Sequence, residues 1–348
     1  MAARFDARVL LVAAGGADSF THPQLHRRAL ERLGCQVELV DLDYGHGWGR
    51  LLGIPTLAPR LRRAVARQEP ELVLVLDDLP LEADTVTALR RASSAQWVLW
   101  GTGEIPPSRR ARLAQVGALY DALFVASTTA RSALANATLP QVAYLPDGCD
   151  PSVCRPMRSR DQFRANVVFA GRATPHRERL LASLAEFGLA VWGPGWRRTM
   201  LRDYCRGERL SLADYVRAYA GATVAMNLHR EDAALAGEGC NRRLFELAAI
   251  GVPQVTDECA DLTLHFMPGR EVLVGRDERE LKELVRAALH DGSSADAIAA
   301  AGRRRALSEH TLMHRMAVLL EVVQHGARRA EATTGPAALP PSPYTLHR

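Results

Sequence analysis

Short apolar runs rich in β-branched residues alternate, through the first half of the chain, with amphipathic stretches at helical spacing. The runs at 9–13, 37–40, 72–76, 97–100, 123–126 and 142–145 predict strands. Between them, 24–33 puts Leu25, Ala29, Leu30 and Leu33 on one face of a helix, and 83–91 reads as another. Strand and helix in regular turn predict a parallel sheet covered by helices on both sides. The passage LPDGCDPSVCRP at 145–156 breaks this rhythm with Pro, Gly and Asp, and polar RSRDQFRAN follows it. The rhythm then restarts, with strands at 167–170, 190–192, 223–228, 254–256 and 271–274 and helices at 177–187, 241–249 and 278–290. After Asp291 and Gly292 come two further helical runs, the last at 311–324, and an Ala-, Pro- and Thr-rich tail from Glu331 that is expected to be disordered. The pattern predicts two similar α/β domains, 1–150 and 166–307, joined by a linker at 151–165, with a terminal helix within 308–328 and a tail at 329–348.

A length of 348 residues suits two cores better than one. The hydrophobic share of 47% and charged share of 24% are those of a globular protein. The net charge of +5 comes almost wholly from arginine, because Lys282 is the only lysine. Arginine suits bidentate binding of phosphate, and an anionic small ligand, nucleic acid and anionic lipid all fit the excess equally. The six cysteines form no CxxC pair and have no histidine at zinc spacing, so reduced thiols and no structural metal are expected. Asp6 and Arg8 interrupt the opening apolar run, which reads as a first strand rather than a secretory signal. No stretch approaches the roughly 20 apolar residues of a membrane span, so a cytoplasmic protein, or at most one attached to a membrane surface, is expected.

The richest segment for chemistry is GEGCNRRLFELAAIGVPQVTD at 237–257, where Glu238 and Glu246 stand eight positions apart. Gly237 and Gly239 permit close backbone approach, Asn241 is a good N-cap, Gly251 ends the helix and Pro253 prevents its resumption. Free amides and the positive dipole end at such a start suit a diphosphate, and Glu246, two turns inward, can offer a carboxylate to a ribose. The same residues also allow a structural reading, with Glu238 capping the helix and Glu246 paired with Arg242 or Arg243 on a solvated face.

The surrounding words resemble the spore-maturation CgeB-like family, whose C-terminal half is a glycosyl-transferases-group-1 domain. The resemblance rests on NRRLFELAAIGVPQVTD from Asn241, HFMPGREVLV from His265, and the Glu280–Leu281 pair. Upstream it rests on YDALFVAS from Tyr120, YLPDGCDPSVCRP from Tyr144, FAGRATPHRERLL from Phe169 and VWGPGW from Val191. It spans about residues 120–320. It implies a GT-B fold, two Rossmann-like doubly wound domains facing across a cleft, with a last helix crossing back to the first domain. It implies a metal-independent glycosyltransferase of hexosyltransferase type, retaining by its E-x7-E pattern, with no cofactor beyond a nucleotide-sugar donor such as a uridine or guanosine one. By position, Glu238 contacts the donor sugar and Glu246 the ribose, with Gly239, Cys240 and Asn241 around the phosphates. The Gly171–Arg172 pair, with Arg177 where the family carries lysine, neutralises the diphosphate.

Two more positions sit where strand ends bear sites in α/β sheets. His229 could touch donor sugar or phosphate, Glu104 could orient the acceptor or act as base, and each could equally be an incidental loop residue. Gly15 and Gly16 close the first strand tightly but do not make a GxGxxG fingerprint, so NAD is a poor fit. The Asp41-Leu42-Asp43 triplet mimics a metal-binding DxD, yet the E-x7-E context implies a metal-free donor site. The acceptor is a hydroxyl on a polysaccharide, protein, lipid or natural product, with no nucleic acid and no membrane span expected. An epimerase or hydrolase on the same fold and a non-catalytic nucleotide-sugar-binding protein remain open.

Overall fold

Strands that lie inside a parallel sheet are covered on both faces, which demands continuous apolar sequence rather than alternation. Leu72–Leu76, LVLVL, meets that demand and is buried at every position. The computed structural model describes residues 5–13, 23–41, 57–77, 81, 83–103, 105–135, 139, 141–230 and 239–332. They divide into two compact units, one running to Pro146 and resuming at Leu312, the other spanning Asp147–Thr311.

In the first unit the strands are β1 (Arg8–Ala13), β2 (Gln36–Asp41), β3 (Leu72–Leu76), β4 (Gln96–Gly101), β5 (Ala122–Val125) and β6 (Val142–Tyr144). All pair in parallel in the order β2-β1-β3-β4-β5-β6. Helices α1 (Pro23–Arg32), α2 (Leu57–Gln68), α3 (Ala83–Arg91), α4 (Pro107–Gly117) and α5 (Thr128–Ala135) connect them. One face packs through Leu61, Val86, Leu113 and Leu134 onto Val73, Val75, Trp97 and Leu99.

The second unit repeats the plan with β7 (Ala165–Ala170), α6 (Pro175–Ala182), β8 (Leu189–Trp192), β9 (Cys205–Gly207), α7 (Leu212–Ala220), β10 (Ala222–Asn227), α8 (Arg242–Ile250), β11 (Gln254–Asp257), β12 (Leu273–Gly275), α9 (Glu278–His290) and α10 (Gly292–Glu309). Its parallel sheet has the order β12-β11-β10-β7-β8-β9. The last helix, α11 (Leu312–Ala332), returns to the first unit and packs on α1. The chain builds outward from β7 to β9, then jumps to the other side at β10, so β7 and β10 flank the switch point where ligands bind in open α/β sheets.

Three boundaries differ from the sequence pattern. The units part at Pro146 and Asp147, ahead of the expected linker at 151–165, because that segment packs on the second unit. There Phe163 is buried against Trp192, and Ser159 Oγ donates to Arg217 O at 2.8 Å. The helix expected at 177–187 starts at Pro175, where Thr174 caps it, and breaks into a 3-10 turn at Ala185–Phe187 before Gly188 turns left-handed with φ of 77°. The terminal helix runs to Ala332, past the expected end at 324.

Candidate functional site

β7 ends at Ala170 and is followed by Gly171 and Arg172; β10 ends at Asn227 and is followed by Leu228 and His229. This turn after β7 is held tightly. A Cβ at Gly171 would lie 2.9 Å from Arg243 Nη2, and one at Gly193, where φ is 129°, would lie 2.1 Å from Gly171 O. Trp196, fully buried, donates its indole N–H to Gly171 O at 2.7 Å, and Ala173 N donates to Pro194 O at 3.0 Å. The VWGPGW motif is thus a buttress for the Gly171–Arg172 turn. Arg172 itself is exposed.

Arg177 departs from the open cation that the family resemblance implies. It is buried, and its guanidinium donates to Leu228 O (2.7 Å from Nη2), His229 O (2.9 Å from Nε) and Arg172 O (3.0 Å from Nη1). Phe169 carries it on one side, 5.3 Å from its ring centroid, and also carries Arg243 at 5.0 Å. A planar fork with five donors can tie both sides of the switch point together, which a lysine could not do.

The other wall of the site is the start of α8. Asn241 caps it, its Oδ1 accepting from Leu244 N at 3.2 Å, while its buried Nδ2 has no partner among the described residues. Gly239 and Cys240 before it are buried too. Arg243, the second residue of the helix, donates to Ala170 O at 2.7 Å, which fixes this helix start against the end of β7. The result is a helix N-terminus with an unspent amide donor at the switch point.

His229, expected at the donor, is instead fully buried and organises the backbone. Its Nδ1 lies 2.8 Å from Asp257 Oδ1, and its own amide donates to Asp257 Oδ2 at 3.0 Å. Burial alone would lower the imidazole pKa, but the Asp257 carboxylate outweighs it and holds the ring well above its ordinary value. Burial would raise the Asp257 carboxyl, and the same pairing with His229, aided by His176, holds it below the usual carboxylate range. In the neutral ring Nε2 accepts from Asn241 N at 3.4 Å, and the ring also lies beside Cys259. Cys240 and Cys259 lie with their sulfurs 3.0 Å apart.

Glu246 pairs with Arg242, as the structural reading of the sequence had it, but in a buried setting rather than on a solvated face. Every residue from Leu244 to Ile250 is buried, so the helix has no solvated face there. One carboxylate oxygen accepts from Tyr215 Oη at 2.8 Å and the other pairs with Arg242 Nε at 2.8 Å. Burying a carboxylate without such partners would be costly.

Glu238, Glu104, Gly15 and Gly16 lie outside the described residues. In the first unit, the described residue at the corresponding strand end is Asp77, after β3. It adopts φ of 60°, and one carboxylate oxygen accepts from Thr102 N (3.1 Å), Thr102 Oγ1 (2.7 Å) and Arg109 Nη2 (2.7 Å). The sequence pattern missed Asp77, Tyr215 and the role of Asp257. Only Asp257 carried a signal, as the acidic end of the VTD strand after a Gly-Val-Pro turn.

The two parallel sheets with flanking helices match solved GT-B glycosyltransferases in fold. Residues 172–321 match the family model described as glycosyl transferase-like, and the match opens on Arg172. No curated protein sequence matches the chain significantly. Solved structures do match in shape. Sucrose-phosphate synthase from Thermosynechococcus elongatus has a TM-score of 0.67 at 15% identity, over 94% of this chain and 100% of that one. HepE from Anabaena in complex with UDP-glucose has a TM-score of 0.62 at 13% identity, over 94% and 100%. An alpha-glucosyltransferase in complex with UDP-glucose and DNA containing an abasic site has 0.67 at 10% identity, over 92% and 100%. No helix among the described residues is long and apolar enough to cross a membrane.

Proposed function

We propose that this GT-B glycosyltransferase chain transfers a sugar from a uridine diphosphate sugar to a hydroxyl acceptor. The observation that carries the proposal is the start of α8 beside β7, where the buried Asn241 Nδ2 has no partner among the described residues. The uridine choice draws on structural neighbours solved with UDP-glucose. In this reading the diphosphate sits between Arg172 and the amides of Gly239–Asn241. The helix dipole and the arginine offset its charge, so no metal is required. Glu238 holds the donor sugar, as the family pattern implies.

As the glycosyl bond breaks, the leaving diphosphate gains negative charge, and fixed cations and amides aimed at it lower the barrier. The departing phosphate oxygen can take the acceptor proton on the face it leaves, which delivers retention without a side-chain base. Arg177 and His229 act one step away, holding the carbonyls and amides that shape the pocket.

Calorimetric titration with UDP tests the site, and UDP release from UDP-glucose tests the chemistry. Arg172→Ala should weaken UDP binding a few-fold and slow turnover about 100-fold, since the interaction grows in the transition state. Turnover at the wild-type rate in Arg172→Ala, or abolished by excess chelator, defeats this reading. Free glucose released at an undiminished rate whether or not acceptors from a polysaccharide, lipid and DNA panel are present would instead mark a hydrolase.

A further inference from the structure

We propose that Cys240 and Cys259 form a peroxide-reactive thiol pair whose disulfide switches off donor binding, a modification site built into the wall of the pocket. The consequence for binding rests on the donor reading above; the thiol chemistry does not.

The geometry comes first. Cys240 immediately precedes the N-cap of α8, and Cys259 follows Asp257 by two residues at the end of β11. Their sulfurs are 3.0 Å apart, and closing to a disulfide requires about 1 Å of approach. None of the six cysteines is in a disulfide. Among the described residues no group of three or more His, Cys, Asp or Glu side chains is arranged to hold a metal ion, so the pair reads as thiol chemistry rather than a metal centre.

The surroundings set which sulfur reacts. The Cys240 S–H and the His229 ring both stabilise negative charge on Cys259 and hold its pKa below the ordinary thiol value, against burial and the Asp257 carboxylate. Burial holds Cys240 well above that value. With the His229 ring beside it, Cys259 is assigned as the attacking thiolate, and Cys240, 3.0 Å away, as the resolving thiol. Both are nearly fully buried, which excludes bulky reagents but leaves hydrogen peroxide, close to water in size, as the fitting oxidant.

The steps balance. The Cys259 thiolate attacks one peroxide oxygen, the O–O bond breaks, and a sulfenic acid forms as hydroxide leaves and is protonated to water. Cys240 then attacks that sulfur, the S–O bond breaks, and a second water departs with the thiol proton. Two thiols are oxidised by two electrons and one peroxide is reduced to two waters. The new bond drags the Gly239–Asn241 backbone toward β11, and the amides proposed to cradle the diphosphate move with it. A shift of about 1 Å in such donors is enough to lose tenfold or more.

The test uses the full reduced chain, treated with hydrogen peroxide, then unfolded, alkylated and digested with trypsin. The expected product joins peptides 231–242 and 244–270, lighter by two hydrogens than their sum, while the remaining cysteines stay alkylated. In parallel, the UDP dissociation constant should rise at least tenfold on oxidation and return with dithiothreitol. In Cys259→Ser the linked peptide and the peroxide sensitivity should both vanish; the wild-type measurements stand even if that variant folds poorly. All six cysteines recovered alkylated, or oxidised without that linkage, overturns the thiol pair. A linked pair with unchanged UDP affinity overturns the switch. If the reduced chain fails to bind UDP at all, the donor reading fails, and the linked peptide alone decides the thiol assignment.

Discussion

Replacing Arg177 by methionine keeps the length and apolar stem of the side chain while deleting every donor, which makes it the cleanest probe of how the switch point is held. In the wild type, three backbone carbonyls, those of Leu228, His229 and Arg172, accept from this one guanidinium in a buried setting. A hydrogen bond from a charged donor contributes about 1.5–3 kcal/mol, and a buried acceptor left alone costs about 1–3 kcal/mol. Contacts sharing one group are not additive, so three such losses amount to about 4 kcal/mol rather than their sum. The stacking on Phe169 adds about 1 kcal/mol that methionine, with its sulfur near the ring, recovers in part. Arg177→Lys should fall between, at about 2 kcal/mol, because one ammonium can reach only one or two of the carbonyls. The assay is urea denaturation followed by a second-unit signal such as fluorescence of Trp196, which sits beside the loop. UDP affinity, measured on folded protein, should fall in the same order. A methionine variant destabilised by less than about 1 kcal/mol, or one whose UDP affinity matches wild type, would show that these carbonyls are held by something else.

Four further outcomes are expected. Gly193→Ala places a Cβ against Gly171 O at 2.1 Å in a backbone conformation that disfavours it, and should cost about 3 kcal/mol in thermal or urea stability. Asn241→Ala removes the cap of α8, about 1 kcal/mol by denaturation midpoint, and should weaken UDP binding more than that loss alone explains. Glu246→Gln leaves Arg242 without its carboxylate and should cost about 3 kcal/mol, with Tyr215→Phe about 1 kcal/mol; UDP affinity unchanged in the folded Glu246→Gln protein would place Glu246 in the scaffold, and a tenfold loss would return it to the ribose. The His229 pKa is raised, so its stabilisation is complete below about pH 6.5 and fades as pH climbs through the raised value; the Asp257 pKa is depressed, so its share is complete above about pH 4 and is lost toward acid. The stability gap between wild type and Asp257→Asn should therefore be widest between about pH 4 and 6.5 and narrower at pH 9.

The fold was legible because burial on two faces leaves a direct mark in sequence. LVLVL can be little else than an inner parallel strand, and the same holds for the runs that became β1, β4 and β7. The start of α8 was legible because chemistry marks it: Asn241 caps where its side chain reaches an amide three residues on. The miss at 177–187 has the same logic in reverse. Thr174-Pro175 is a strong start signal that the apolar periodicity, beginning later, obscured. The unit boundary was misplaced because a Pro- and Gly-rich passage resembles a linker even when, as at 147–164, its turns are pinned by Cys149, Ser159 and Phe163 to one side.

The candidate site was legible in its backbone and not in its side chains. Gly171, Gly239 and Asn241 announce close approach and a capped helix, and those properties are local. Whether a charged group faces a ligand or the protein is decided by partners far away in sequence, and no spacing rule names them. Glu246 is satisfied by Tyr215, 31 residues away, and His229 by Asp257, 28 residues away. Arg177 reaches across 51 residues to Leu228. In each case a residue type suited to binding phosphate or sugar is equally suited to binding a carbonyl or carboxylate of its own chain, since the donors and acceptors are the same. Burial separates the two uses: a group that is both enclosed and fully paired shapes the pocket, whereas exposed Arg172 and the unspent amide of Asn241 are left to meet what enters it.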